Sequence, residues 1–408
     1  MKTIIIIILA CFSFRTFAQS GKITIDQAIE IALKNNAGIR SARYEVDLQK
    51  ELKKTSIDLP KTNISLLYGQ YNSFVNDNNF TVTQVIPFSA LGSQGALNRS
   101  LVVSSELKKA STENELIYQV RQTYFQLAYL QTRHGLLIQQ DSIYEGFLKA
   151  ASARYKSGEA YLLEETTAET QRNEVRNQLR LNESSITIMR TQLKTLLNSN
   201  VLPEIPQTSL SQLSFPEMPD TTVLLANPSL AYMRQQVDVA QNRKRLENAR
   251  FAPDLIVGYF NQTLIDVVNT ENGAVANRGN RFTGFQVGLA VPLWFLPHQG
   301  RAKAAAFNQK AAQSNYQYYQ ITLQGQLQQA EQQFTKNINS LAYYQTSALP
   351  NADLIIRQAQ IAFRQGQIGY TEYLLSVKNA MNLREGYLQT LNEYNQSIIY
   401  IEYLSGNK

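Results

Sequence analysis

Residues 282–295 read FTGFQVGLAVPLWF. Thr283, Phe285, Val287, Leu289, Val291 and Leu293 alternate there with Gly284, Gln286, Gly288, Ala290 and Pro292. One face is apolar and the other small or polar, the period-two pattern of a β-strand. Such a strand suits a buried core against water, or lipid against a water-filled lumen. Three further stretches are read as strands: TNISLLYGQY (62–71), NFTVTQVIPF (79–88) and DLIVGYFNQT (254–263), the fourth strand spanning 281–293. Strands of about ten residues match the length that crosses a bilayer when tilted.

Each strand belongs to one of two copies of a larger unit. Pro87 and Gln94-Gly95 recur as Pro292 and Gln299-Gly300, 205 residues later. Gly158 and Glu164 recur as Gly366 and Glu372, 208 residues later. The expected organisation is a first repeat over 19–198 with a β-hairpin at 62–88, and a second over 222–408 with a β-hairpin at 254–293. Between them, 199–221 carries Pro203, Pro206, Pro216 and Pro219, a linker running over a surface. Within each repeat the order is helix, two strands, long helix, turn, helix. Pro60, Pro87, Pro253 and Pro292 mark the four junctions between helix and strand, where proline stops a helix and is tolerated by a strand end.

The helices are long. The first is expected over Ile25–Asp58, and no proline occurs between Phe88 and Leu202. A helix from Ala96 to Ser157 would be roughly 90 Å long at 1.5 Å per residue. Tyr316, Tyr319, Leu323, Leu327, Ala330, Phe334, Ile338 and Leu341 form a coiled-coil-like stripe. Leu116, Val120, Tyr124, Leu127, Leu130 and Leu137 form its counterpart, with His134 on it as a packed, hydrogen-bonded residue.

The start of the chain, MKTIIIIILACFSFRTFAQS, has a lysine, the apolar run Ile4–Ala10 and small residues ending at Ala18. This outlines a signal peptide over 1–18. A second reading makes Cys11 a lipid-attachment residue, behind a very short apolar run. Cys11 is the sole cysteine and there are two histidines, His134 and His298, so no His/Cys metal site, disulfide or cofactor is expected. The net charge of +7 comes without a long Lys/Arg cluster, so no nucleic-acid partner is expected. After the leader no apolar run reaches the roughly 20 residues of a transmembrane helix, so entry into a membrane would have to be as strands.

Four strands cannot close a barrel, since the smallest membrane barrels have about eight, and an open edge in lipid leaves backbone groups unpaired. Chains must therefore pool them. Each hairpin leaves a helix and returns to one, so both hairpin tips point away from the helical body. From Pro60 to Pro87 is 27 residues and from Pro253 to Pro292 is 39, and longer loops belong on the extracellular side. Phe285, Val287, Leu289 and Val291 are the expected lipid-facing residues, with Trp294 and Phe295 in an aromatic belt at the opposite rim.

The twice-repeated order, with QVIPF…QG and AVPL…QGRAKAA after the hairpins and the turns RYKSGEAYLLEE and FRQGQIGYTEYLL, resembles the TolC-like outer-membrane efflux family over nearly the whole chain. The stretches YGQYNSFVNDNNFTVTQVIPF (68–88) and GLAVPLWFLPHQGRAKAA (288–305) are most similar to the heavy-metal efflux (CusC/CzcC-like) branch. The resemblance implies a mainly α protein with a membrane β-barrel contribution. Long coiled-coil hairpins form a periplasmic tunnel, and four transmembrane strands per chain join a 12-stranded barrel shared by a homotrimer in outer-membrane lipid. It implies a passive exit duct fed by an inner-membrane RND-type pump through a periplasmic adaptor (membrane fusion protein), with heavy-metal cations as candidate cargo. A multidrug or small-molecule duct is the alternative, and a structural coiled-coil surface protein a more distant one. By the same resemblance Glu372 and Glu164 sit at the periplasmic aperture. Gly158, Gly366, Arg154 and Arg364 then belong to the tip turns where the adaptor docks. No catalytic constellation is present: the carboxylates of EETTAETQRNE (164–174) read as a solvated helix face. The chain is therefore not expected to be an enzyme.

Overall fold

The computed structural model describes residues 22–72, 74–206, 210–215, 221–269 and 271–406. The signal peptide, Cys11, Pro216 and Pro219 lie outside the described residues. The elements run α1 (Ile25–Asn35), α2 (Ala37–Lys53), β1 (Asn63–Gly69), β2 (Asp77–Ile86), α3 (Phe88–Lys156), α4 (Leu162–Leu197), α5 (Pro228–Ala249), β3 (Asp254–Gln262), β4 (Phe282–Ala290), α6 (Phe295–Tyr343), α7 (Leu349–Arg364) and α8 (Tyr370–Ser405). Short 3-10 turns occupy Lys54–Ser56 and Thr221–Ala226.

The single helix expected over Ile25–Asp58 is instead two helices. Asn36 adopts extended backbone (ψ 130), takes the Gly38 amide on its side chain at 2.8 Å and donates to the Leu196 carbonyl at 3.0 Å. An asparagine satisfied in this way competes with the helix for its own backbone, which breaks it. In contrast, α3 runs unbroken for 69 residues, about 100 Å at 1.5 Å per residue. Its counterpart in the second half is jointed. A π-turn at Tyr344–Ala348 separates α6 from α7, and Pro350, which cannot donate to the residue four back, follows within two positions. The turn swings the Tyr344 hydroxyl onto Gly386 of α8, where a Cβ would fall 2.4 Å from the oxygen.

Core formation follows the helical stripes, with two departures. Leu323, Leu327, Ala330, Phe334 and Leu341 are buried against Leu391, Ile398 and Leu404 of α8. Ile338 is exposed, and Asn337 takes its place inside. Asn337 lies seven residues after Ala330, as Leu341 does after Phe334, so it keeps the alternating four-three spacing of the buried seam and Ile338 falls one position off it. His134 likewise sits at the margin, not in the packing: its Nε2 lies 3.3 Å from Glu183 Oε1 and the side chain is partly exposed, while Leu130 and Leu137 on either side are buried. The linker is less loose than its prolines suggest. Ile205 and Leu210 are buried, the Leu210 amide donates to Thr132 Oγ1, and Asn395 of α8 clamps Ser211 and Leu213.

The four strands form one antiparallel sheet in the order β1-β2-β3-β4. Below it the helices pack in the same sequence, α2 on α3, α3 on α5 and α5 on α6. Sheet and helix layer thus end together, at β1 and α2 on one side and at β4 and α6 on the other. Large apolar side chains are left exposed at those ends: Tyr44, Leu48 and Leu52 along α2, and Phe307, Tyr318 and Ile321 along α6. The spacings of four and four along α2, and of eleven and three along α6, are those of one helix face.

Candidate functional site

At the end of the molecule far from the sheet, α3 turns into α4 and α7 into α8. The two turns share one geometry. The Glu159 amide reaches back to the Arg154 carbonyl at 2.9 Å, and the Gln367 amide to the Ala362 carbonyl at 2.8 Å. These closures need a left-handed residue, supplied by Gly158 (φ 77) and Gly366 (φ 69). Nothing lies within 4 Å of a Cβ built at Gly366, so alanine there meets no clash, only the backbone penalty. Gly366→Ala is expected to destabilise this turn by about 1–2 kcal/mol. Limited proteolysis should report faster cleavage near residue 366, with the rest of the helical body unaffected.

The two glutamates that follow the glycines behave differently. Glu164 is ion-paired to Arg154 of its own chain, Oε2 to Nη1 at 3.1 Å. Glu372 is exposed and accepts the Gly369 amide at 3.0 Å, forming part of the cap of α8. Glu164 therefore has its charge balanced locally. Glu372 instead sits in the first turn of α8, at the positive end of the helix dipole. Arg154 thus tethers α3 to α4. Arg364 is exposed beside Tyr373, whose ring stacks on Phe363 at 4.8 Å.

The sequence reading missed Tyr370. Its side chain is buried, its hydroxyl donates to the Phe147 carbonyl at 3.0 Å, and its ring meets Phe147 edge-on at 5.8 Å. Burial, followed by the Glu164 carboxylate, pushes its ionisation well above the usual phenol range. Tyr370 sews the α7–α8 turn to α3. The signal was there: at the 208-residue offset Tyr370 replaces Leu162, which is exposed, so the repeats differ at this position.

In the sheet, the register sorts side chains onto two faces. Val287 pairs with Val257, Phe285 with Tyr259 and Leu289 with Leu255. Those residues continue through Gln84, Val82 and Ile86 of β2, and Val82 pairs with Ile64 of β1. This face is apolar, and Phe285 and Val287 are 87% and 76% exposed. Val291, Leu293, Trp294, Phe295 and Leu296 prolong the exposure into the first turn of α6. Three amides lie on this face: Asn78 and Asn261 near the hairpin tips, where both meet Arg281, and Gln84 near the helical end of its strand, occupied by Thr62 Oγ1 and the Pro60 carbonyl. The opposite face carries Asn63, Ser65, Thr81, Thr83 and Gln286 with Gly258, Gly284 and Gly288. Gly284 is required there, since the Phe260 ring lies across it and a Cβ would come within 2.6 Å of Cζ.

Among the described residues no helix is long and apolar enough to cross a membrane, and no group of three or more His, Cys, Asp or Glu side chains is arranged to hold a metal ion. Residues 28–199 match the family described as outer membrane efflux protein. No curated protein sequence matches the chain. Among solved structures the chain is similar to CusC (15% identity, covering 94% of this chain and 92% of that one, TM-score 0.77), described in terms of conformational changes accompanying folding and transmembrane channel formation. It is also similar to the outer-membrane channel OprN (14%, 94% and 90%, 0.80) and to the outer membrane protein VceC of Vibrio cholerae (15%, 94% and 96%, 0.73).

Proposed function

We propose, from the premise that this chain belongs through residues 28–199 to the outer membrane efflux protein family, that it is the passive exit duct of a tripartite efflux system. As a member of that family it is an outer-membrane efflux channel with a periplasmic helical body, and not an enzyme. In our reading the apolar sheet face meets lipid and the mixed face lines the lumen. The distal turns form the periplasmic tip, where an adaptor brings cargo from an inner-membrane RND-type pump. Glu372 sits at the aperture there and Glu164 further from the axis. Residues 19–198 and 222–408 act as two repeats of one unit around the 199–221 connection.

The observation that carries this reading is the coincidence of open ends. β1 and β4 are both unpaired edges, and lipid offers no partner to their amides and carbonyls. An even number of strands makes β4 of one copy antiparallel to β1 of the next, so copies can close a barrel. The same closure brings α6 of one copy to α2 of the next and covers Leu48 and Phe307. Family resemblance sets the number of copies at three, giving 12 strands. The protein is expected to run on a gel as a trimer when unheated and as a monomer after boiling. Leu48→Glu should leave the single chain folded, since Leu48 is exposed in it, and lower the trimer yield. A monodisperse monomer that still conducts ions across a planar bilayer would overturn the reading.

Heavy-metal cations are the cargo we assign from the resemblance of residues 68–88 and 288–305 to the heavy-metal efflux branch. A multidrug or small-molecule duct is the alternative. Survival of a deletion strain across a panel of metal salts and drugs separates the two.

A further inference from the structure

Charge along the four strands is confined to their ends. β1 and β4 carry no ionisable Asp, Glu, Lys or Arg, and β2 and β3 carry one each, Asp77 and Asp254, both as first residues. Asp77 is fully buried, and its carboxylate accepts from Thr263 Oγ1 and from the Ile265 amide, both at 3.1 Å. Arg281, just before β4, is held by the side-chain oxygens of Asn261 and Asn78, each at 2.6 Å. Asp254, at the other end, lines a groove with Arg250 and His298. Between these rims the mixed face offers only hydroxyls, amides, glycines and a few apolar groups.

Distance decides whether the rims are felt at mid-strand. Gln286 pairs with Gly258, four residues from Asp254, and is five residues from Arg281. At about 3.3 Å per residue these separations are roughly 13 Å and 17 Å. Both exceed the Debye length of about 8 Å at physiological ionic strength, so the end charges are largely screened at Gln286. Ion selectivity in a pore of this kind comes from rings of charge, and the wall supplies none at mid-membrane.

We infer that the membrane-spanning part of the duct is charge-neutral between its rims: its middle passes anions and cations alike, and discrimination by charge resides at the strand ends or beyond them. This rests on the duct reading above, and the test keeps the two apart. The chain has one cysteine, Cys11, so with Cys11→Ala single cysteines at Gln286 or Val287 report alone. Each would be exposed, in intact membranes, to a cationic and an anionic methanethiosulfonate of similar size added from outside. A closed periplasmic end does not affect labelling from that side. For Gln286→Cys, the cationic-to-anionic rate ratio should equal that of a small free thiol, and Val287→Cys should resist both reagents. A several-fold preference for one sign at Gln286→Cys, with Val287→Cys still protected, overturns the neutral wall and leaves the duct reading standing. Labelling of Val287→Cys with protection of Gln286→Cys overturns the assignment of faces, and the duct reading with it. Protection of both positions overturns the neutral passage, because reagents of neither sign then reach the wall.

Discussion

Val287→Arg lowers barrel stability by roughly 2–4 kcal/mol, the cost of arginine on a lipid-facing strand near the bilayer midplane, whereas Gln286→Arg changes it little. That is the expected result of adjacent substitutions on β4. It follows from the register: Val287 faces the same way as Val257 and is 76% exposed in the single chain, a face that meets lipid in the proposed duct, while Gln286 pairs with Gly258 on the mixed face. Folding titrations into vesicles, read by heat-modifiable migration, check the pair. Equal tolerance of both arginines would mean that the apolar face does not meet lipid.

The second large effect is at the tip. Glu372→Gln is expected to weaken cation selectivity and divalent-cation block in single-channel recordings, with trimer assembly intact. Glu164→Gln is expected to do less. The structure supplies a reason for the difference that does not depend on where the axis lies. Glu164 is balanced by Arg154, whereas Glu372 caps a backbone amide. Symmetry would bring three copies of Glu372 toward one another, and like charges at 4 Å repel by about 1 kcal/mol per pair in water and more where solvent is excluded. A divalent cation relieves that repulsion, which is why block is the sensitive readout. Glutamine can still accept the Gly369 amide, so loss of the helix cap does not confound the measurement. Unchanged reversal potential and unchanged block in Glu372→Gln would remove the residue from the aperture.

Much of the architecture was legible because it is periodic. The alternation at 282–295 needed no partner to be read as a strand, and prolines 60, 87, 253 and 292 bracketed both hairpins to within a few residues. The 208-residue offset located both distal turns, and the left-handed glycines give that offset its physical cause. What escaped was decided by single side chains acting across the fold. Asn36 breaks a helix because the Leu196 carbonyl is in reach of its amide, 160 residues away. Asn395 fastens the linker from a distant helix, which the local prolines do not disclose. Pro350 was visible, but a π-turn absorbs it and the helix continues, whereas the usual expectation is a stop. The balance of Glu164 was hidden because Arg154 lies ten residues earlier, on the far arm of the turn.

The two hairpins also set what has to be carried through the bilayer when the protein is assembled. Each enters from a helix and returns to a helix, so in the proposed duct the chain crosses four times yet places only the connections 70–76 and 263–281 on the far side. The helical elements remain where they were delivered. Transfer is therefore a matter of moving two short connections, and the larger of them is tied together: Asp266 and Ala276, Asn269 and Ala274, and Val267 and Ala276 are joined by their own backbone hydrogen bonds. A connection that satisfies part of its own backbone presents fewer bare amides to hydrocarbon during passage.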